Sequence, residues 1–156
     1  MRKEKITTSY IVLSRNELTA AQKSVLDAAE NAVKSAYSPY SAFQVGAAII
    51  MDDGQVIIGN NQENAVYPLG LCAERVALFS MGVGHPNGKP QTMAIAIASE
   101  NKPGFPCGSC RQAIIEFEQR YQTAIEILIE GKNGEYLLFE SVKALLPFAF
   151  DHENLK

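Results

Sequence analysis

The sequence predicts an α/β fold, a three-layer α/β/α sandwich around a mixed five-stranded sheet. Three observations predict it. The chain has 156 residues, 47% of them hydrophobic and 20% charged, which suits one continuous core. Three segments read as helices from their apolar spacing and opening residues. Apolar runs of strand length lie between and after them, punctuated by Gly, Pro and Asp-Gly signals, in the order α-β-β-α-β-α-β-β with a short C-terminal helix. One domain is expected over 1–156, with residues 1–18 as an N-terminal arm.

Within that arm Ser9-Tyr-Ile-Val-Leu13 has the composition of a short strand, and the polar Ser14-Arg-Asn-Glu17 ends it. The first helix follows, because Thr19-x-x-Gln22 forms a capping box and Val25, Leu26, Ala29, Val33 and Ala36 recur on one face. Ser38-Pro39-Tyr40-Ser41 closes it. Two strands, about Phe43–Met51 and Gln55–Asn60, flank Asp52-Asp53-Gly54, whose Asp-Gly pair is a strong hairpin signal. They should pair antiparallel. After the loop Asn61-Gln-Glu-Asn-Ala-Val-Tyr-Pro68, a largely buried helix runs from about Cys72 to Val83, and Gly82, Gly84, Pro86 and Gly88 break the chain beyond it. Thr92–Ser99 reads as a buried strand. A Pro/Gly loop then delivers Pro106-Cys-Gly-Ser-Cys110 to a helix of about Cys107–Tyr121, and two strands flank the turn Gly131-Lys-Asn-Gly134.

Composition excludes several classes of function. The formal net charge is -3 and the sequence pI about 5.4, with Lys and Arg scattered, so the basic surface that holds a phosphate backbone is missing and no nucleic-acid partner is expected. No apolar run approaches the roughly 18 residues of a membrane span, so no membrane partner is expected either. The opening Met1-Arg-Lys-Glu-Lys5 and the stretch after it are too polar for a signal peptide. A cytoplasmic protein is the expectation.

The chemistry gathers around three cysteines, Cys72, Cys107 and Cys110. An odd number of thiols in a chain without export signals argues for metal binding or redox work over a disulfide framework. Cys107 and Cys110 are three apart at a helix start, so both sulfurs lie on one face, beside unpaired N–H groups and the positive end of the macrodipole. That environment favours thiolates, the form that binds zinc. With Cys72 they make three ligands, the number of a catalytic zinc that keeps one position open; a structural site would need a fourth. His85 and His152 are the only histidines; the first sits in a Gly/Pro-rich loop and the second near the C-terminus, so either could bind zinc only by accident of folding. A Cys-x-x-Cys alone reads as readily as a redox pair or half of a structural zinc site as it does as part of a catalytic one. The rest of the pattern decides between them. Cys72-Ala73-Glu74 opens one helix and Pro106-Cys-x-x-Cys110 another, and Glu74, two residues from a thiol, points away from it around the helix. This matches the general signature of zinc deaminases, where the Glu is no ligand and carries protons.

The chain resembles the cytidine deaminase family over nearly its whole length. The blocks are Ala36-Tyr-Ser-Pro-Tyr-Ser-Ala-Phe-Gln-Val-Gly-Ala-Ala48, Asn61-Gln-Glu-Asn-Ala-Val-Tyr67, Cys72-Ala-Glu-Arg75, Pro106-Cys-Gly-Ser-Cys-Arg-Gln112 and Leu145-Leu-Pro-Phe-Ala-Phe150. The resemblance implies one Zn2+ per chain on Cys72, Cys107 and Cys110, with Glu74 as the catalytic proton shuttle. It implies Phe43 against the cytosine ring, Asn61 and Glu63 on the ribose 3′-hydroxyl, and the backbone of Ala73 on the base. Arg75 would contact a ligand sulfur and offset the charge of three thiolates. The small three-cysteine members are homotetramers in which a C-terminal phenylalanine reaches a neighbour's pocket, and Phe150 is the match. The implied reaction is hydrolytic deamination of cytidine and deoxycytidine in pyrimidine salvage. A blasticidin-type deaminase would share the zinc motifs and lack the Asn-x-Glu contacts; a non-enzymatic zinc module would make Glu74 a coincidence. Two features depart from the family pattern: the long arm before Thr19, and Phe148 where a small residue is frequent.

Overall fold

The computed structural model describes residues 1–98 and 102–155. Its strands are β1 (Ile11–Ser14), β2 (Val45–Met51), β3 (Val56–Asn60), β4 (Pro90–Ile97), β5 (Glu126–Glu130) and β6 (Glu135–Phe139), and its helices are α1 (Ala20–Val33), α2 (Ala73–Gly84) and α3 (Gly108–Tyr121). They form one mixed sheet in the order β1-β6-β5-β4-β2-β3. β4 and β5 run parallel; the other neighbours are antiparallel.

The side chains of the central strands divide by parity, as a strand buried on both faces requires. Ala48 and Ile50 of β2, Ala94 and Ala96 of β4 and Leu128 of β5 face α1, against Val25, Leu26, Ala29 and Val33. Ala47, Ile49, Met93, Ile95, Ile127 and Ile129 face the other way, onto Ala77, Leu78 and Met81 of α2 and Ile114, Ile115 and Phe117 of α3. The layers are therefore α1, the sheet, and α2 with α3, as expected.

Topology sets where a site can form. β3 and β4 are each followed by a helix that returns the chain across the same face of the sheet. The N-termini of α2 and α3 therefore lie together at the carboxyl ends of their strands, the usual place for a ligand site in α/β folds. α2 is pressed there by a close approach. A Cβ built on Gly59 of β3 would lie 2.5 Å from the Ala73 carbonyl oxygen and 2.5 Å from the Ala77 amide nitrogen. Only glycine lets the first turn of α2 sit this near the sheet. Gly46 does the same for α1, where a Cβ would lie 2.1 Å from the Ala29 carbonyl oxygen.

Several expectations need correction. The sheet has six strands rather than five, because β1 of the arm pairs with β6, Ile11 opposite Leu138 and Ser14 opposite Glu135. α1 keeps its capping box, with Thr19 Oγ1 accepting from the Gln22 amide at 3.2 Å and Gln22 Oε1 from the Thr19 amide at 3.0 Å, but it ends at Val33, so Ala36 lies outside it. β2 begins at Val45, not Phe43, because Ala42 takes a left-handed φ of 55° and turns the chain before the ladder starts. Ser99, the expected end of β4, lies outside the described residues. The C-terminal helix is instead two short 3₁₀ turns, Val142–Leu145 and His152–Leu155.

Gly59→Ala should lower stability by about 1–3 kcal/mol, the usual cost of an overpacked contact, and should weaken zinc retention, because α2 must shift from the sheet with Cys72. Thermal unfolding and metal content after dialysis check both; an unchanged protein on both counts would contradict the close approach.

Candidate metal centre and active site

Cys72 stands at the N-cap of α2 and Cys107 at the N-cap of α3, both with extended backbone and neither used as a side-chain cap. Their sulfurs are thus free to meet. Cys110, one turn into α3 and fully buried, completes the group. All three Sγ atoms lie within 4.8 Å of one another, with Cys72 to Cys107 at 3.9 Å and Cys107 to Cys110 at 3.5 Å. A tetrahedral ion with Zn–S bonds of about 2.3 Å spaces its sulfurs about 3.8 Å apart. The group fits zinc, and among the described residues it is the only such cluster of Cys, His, Asp or Glu.

The electrostatics favour a thiolate at Cys72. Hydrogen bonding with Cys110 and with Arg75 holds the Cys72 thiol down to about 5, while the same contact with Cys72, together with burial, pushes Cys110 up. A cation bound among the sulfurs would displace their remaining thiol protons. The Arg75 guanidinium lies 3.9 Å from Cys72 Sγ and 3.4 Å from the Gly70 carbonyl oxygen. Its Nε is buried without a hydrogen-bond partner.

A pocket of about 360 Å³ opens beside the sulfurs, with Cys72, Cys107 and Glu74 among its lining and Phe43, Asn61 and Glu63 around it. Glu74 is 4% exposed, and burial pushes its carboxyl above the usual range. Phe43 is half exposed; it is a pocket wall, not core. Ala73 is buried at the first position of α2.

Asn61 and Glu63 hold the pocket rim. Asn61 Nδ2 donates to the Phe43 carbonyl at 2.8 Å, and its Oδ1 accepts from the Val45 amide at 2.8 Å. The Glu63 carboxylate accepts from the amides of Tyr40 and Ser41, at 2.8 and 3.2 Å, and from the Ser41 hydroxyl. Phe150 does not line this pocket. It is 59% exposed, and its carbonyl accepts from Gln112 Nε2 at 2.6 Å.

Residues that sequence reasoning passed over also line the pocket: Ser41, Tyr67, Leu71, Ile97 and Phe105. Phe105 could have been suspected from its place beside Pro106. Arg111, next to Cys110, ties the cysteine loop to the C-terminal turn, Nε donating to the Pro106 carbonyl and Nη1 to the Leu145 carbonyl, both at 2.8 Å.

Comparison with known proteins decides the family. Residues 19–125 match the family described as the cytidine and deoxycytidylate deaminase zinc-binding region. The chain belongs to that family. The cytidine deaminase of Halalkalibacterium halodurans is 42% identical over 123 residues, 78% of this chain and 88% of that one. That of Mycobacterium tuberculosis is 42% identical over 128 residues, covering 81% and 87%. The crystal structure of cytidine deaminase from Burkholderia pseudomallei superposes with a TM-score of 0.73 at 39% identity, over 85% of this chain and all of that chain. Family and sulfur geometry agree on one zinc per chain. No helix among the described residues is long and apolar enough to cross a membrane.

Metal analysis of freshly purified protein should give about one zinc per chain. Cys110→Ser, by removing one of three thiolates, should abolish tight retention while Cys-independent parts of the fold stay intact by circular dichroism. Stoichiometric zinc in that variant would place the ion elsewhere.

Proposed function

We propose that this deaminase converts cytidine and deoxycytidine to uridine and deoxyuridine by hydrolysis, releasing ammonia, with Cys72, Cys107 and Cys110 as zinc ligands and Glu74 as catalytic residue. The observation that carries the reading is the meeting of a three-sulfur group and a separate, buried carboxylate at one pocket below an exposed aromatic ring. A purely structural zinc site would need neither the pocket nor the carboxylate.

Zinc on the three thiolates supplies the Lewis acidity that makes water a nucleophile near neutral pH. Glu74 accepts the proton that water gives up and delivers it to N3 of the ring, which makes C4 electrophilic. It then carries a proton to the departing amine. A carboxyl raised by burial suits both duties, since a general acid-base works best with its pKa near the working pH. Phe43 stacks on the base, the backbone of Ala73 meets its edge, and Asn61 and Glu63 read the 3′-hydroxyl with the bonding capacity that the rim leaves them. Arg75 offsets the net charge near -1 of three thiolates around a dication. The substrate is thus a free nucleoside, handled in the cytoplasm by a single-domain enzyme of pyrimidine salvage, not a polynucleotide.

The same reading makes the enzyme a homotetramer whose sites are completed across subunits by Phe150. Its exposure and its absence from its own chain's pocket lining support a role in trans, as does the exposed Phe148.

Glu74→Gln should keep zinc and fold and lose roughly 10²- to 10⁴-fold in kcat, the range for a removed general acid-base. An ultraviolet assay of cytidine loss measures it; wild-type turnover would leave Glu74 a structural role only. Mixing tests the subunit geometry. Phe150→Ala chains refolded together with Glu74→Ala chains should regain activity, because some sites then draw Glu74 from one chain and Phe150 from another. Flat activity in verified mixed tetramers would assign Phe150 to its own subunit.

A further inference from the structure

The rim segment 38–45 is shaped by a connected set of hydrogen bonds. Ala42 has a φ of 55°, a left-handed conformation that a residue with a Cβ adopts only at a cost. The turn is closed by the Ala42 amide on the Ser38 carbonyl at 3.0 Å. Ser41 is its hub. The single O–H of Ser41 donates to Glu63, and its Oγ accepts from the Phe43 amide at 3.0 Å. On the other side, the Phe43 carbonyl is held by Asn61. The peptide units flanking the ring are thus fixed by the two side chains that read the sugar, one directly and one through Ser41. The hydroxyl of Ser41 has one proton to give, and Glu63 takes it, so Ser41 has no donor left for a ligand. The same bond is the largest influence holding the Glu63 carboxyl below its usual range, which keeps it an acceptor.

We propose that Ser41 is a positioning residue that couples sugar recognition to base stacking, fixing the Glu63 carboxylate and, through the Phe43 amide, the ring that walls the pocket. The inference rests on the assignment of Glu63 to the 3′-hydroxyl and of Phe43 to the base. Its consequence is specific. Preference for a 3′-hydroxyl depends on Ser41, although Ser41 does not touch the sugar. A ligand hydroxyl on Glu63 adds to the network that holds the aromatic wall, whereas a free base leaves that network as it stands.

The test is steady-state kinetics of wild type, Ser41→Ala and Ser41→Thr on deoxycytidine and on the same nucleoside lacking its 3′-hydroxyl, with zinc content checked in each. The readout is the ratio of kcat/KM between the two substrates. Ser41→Ala should shrink the wild-type ratio by about tenfold, the order expected when a hydrogen bond to a charged group is lost, with the change carried mainly by KM of the hydroxylated substrate. Ser41→Thr, which keeps the hydroxyl, should restore most of it. Equal losses on both substrates, with the ratio kept, would make Ser41 a mere support of the loop and overturn the proposal while leaving the sugar assignment standing. A wild type indifferent to the 3′-hydroxyl would overturn the Glu63 assignment and this inference with it. Should Ser41→Ala lose zinc or fold, Ser41→Cys, similar in size and weaker in hydrogen bonding, is read on the same ratio.

Discussion

Two helix N-termini aimed at one point are the constraint on which the rest of this molecule depends. After a loop, each crossover helix starts at the end of the sheet where the preceding strand finishes, so α2 and α3 bring their first turns together beyond the carboxyl ends of β3 and β4. Both starts carry a cysteine at the N-cap, where the side chain projects from an extended backbone. The unpaired N–H groups and dipoles of the two helices converge on the sulfurs, and this field favours negative charge. The three sulfurs share that small volume, and the field at the two helix starts would favour their ionised form once a cation binds.

The same constraint sorts the carboxylates by environment. Glu74 is carried by α2 into the buried floor, where desolvation raises its pKa. Glu63, on the exposed rim, is held below the usual range by the Ser41 hydroxyl and two backbone amides. A third carboxylate, Glu118 of α3, is buried without any part in the pocket. It accepts from the amides of Ile125 and Val142, at 3.0 and 3.1 Å, and from the Ser141 hydroxyl at 2.8 Å. One helix thus presents Cys107 and Cys110 to the site at its start and locks the C-terminal turn at its end. Arg111 makes a second tie between the two.

What could be read from the sequence was local. The Thr19–Gln22 capping box, the Asp-Gly hairpin and the i, i+3 thiols are each set by a few neighbouring residues, and each stands in the structure as expected. What could not be read depends on distant partners. β1 joins a strand more than 120 positions away in sequence, and nothing in Ile11–Ser14 names that partner. The polarity of β4 against β5 emerges only once α3 is placed between them. Phe43 has strand composition, and only the left-handed turn at Ala42 takes it out of the ladder. Asn61 and Glu63 came to notice by resemblance alone, because hydrogen bonds to backbone across a loop leave no spacing signature.

The pairing of β1 with β6 bears on solubility. β6 carries Leu137, Leu138 and Phe139, and without β1 its outer N–H and C=O groups would form an open, apolar edge on which strands of other molecules could pair. The arm fills that edge and replaces it with a strand of only four residues, which runs straight into the polar 3₁₀ turn Arg15–Glu17. Short edges flanked by charge are poor templates for aggregation. The outer backbone edge of β6 is thereby closed by a strand too short to offer another chain a long template.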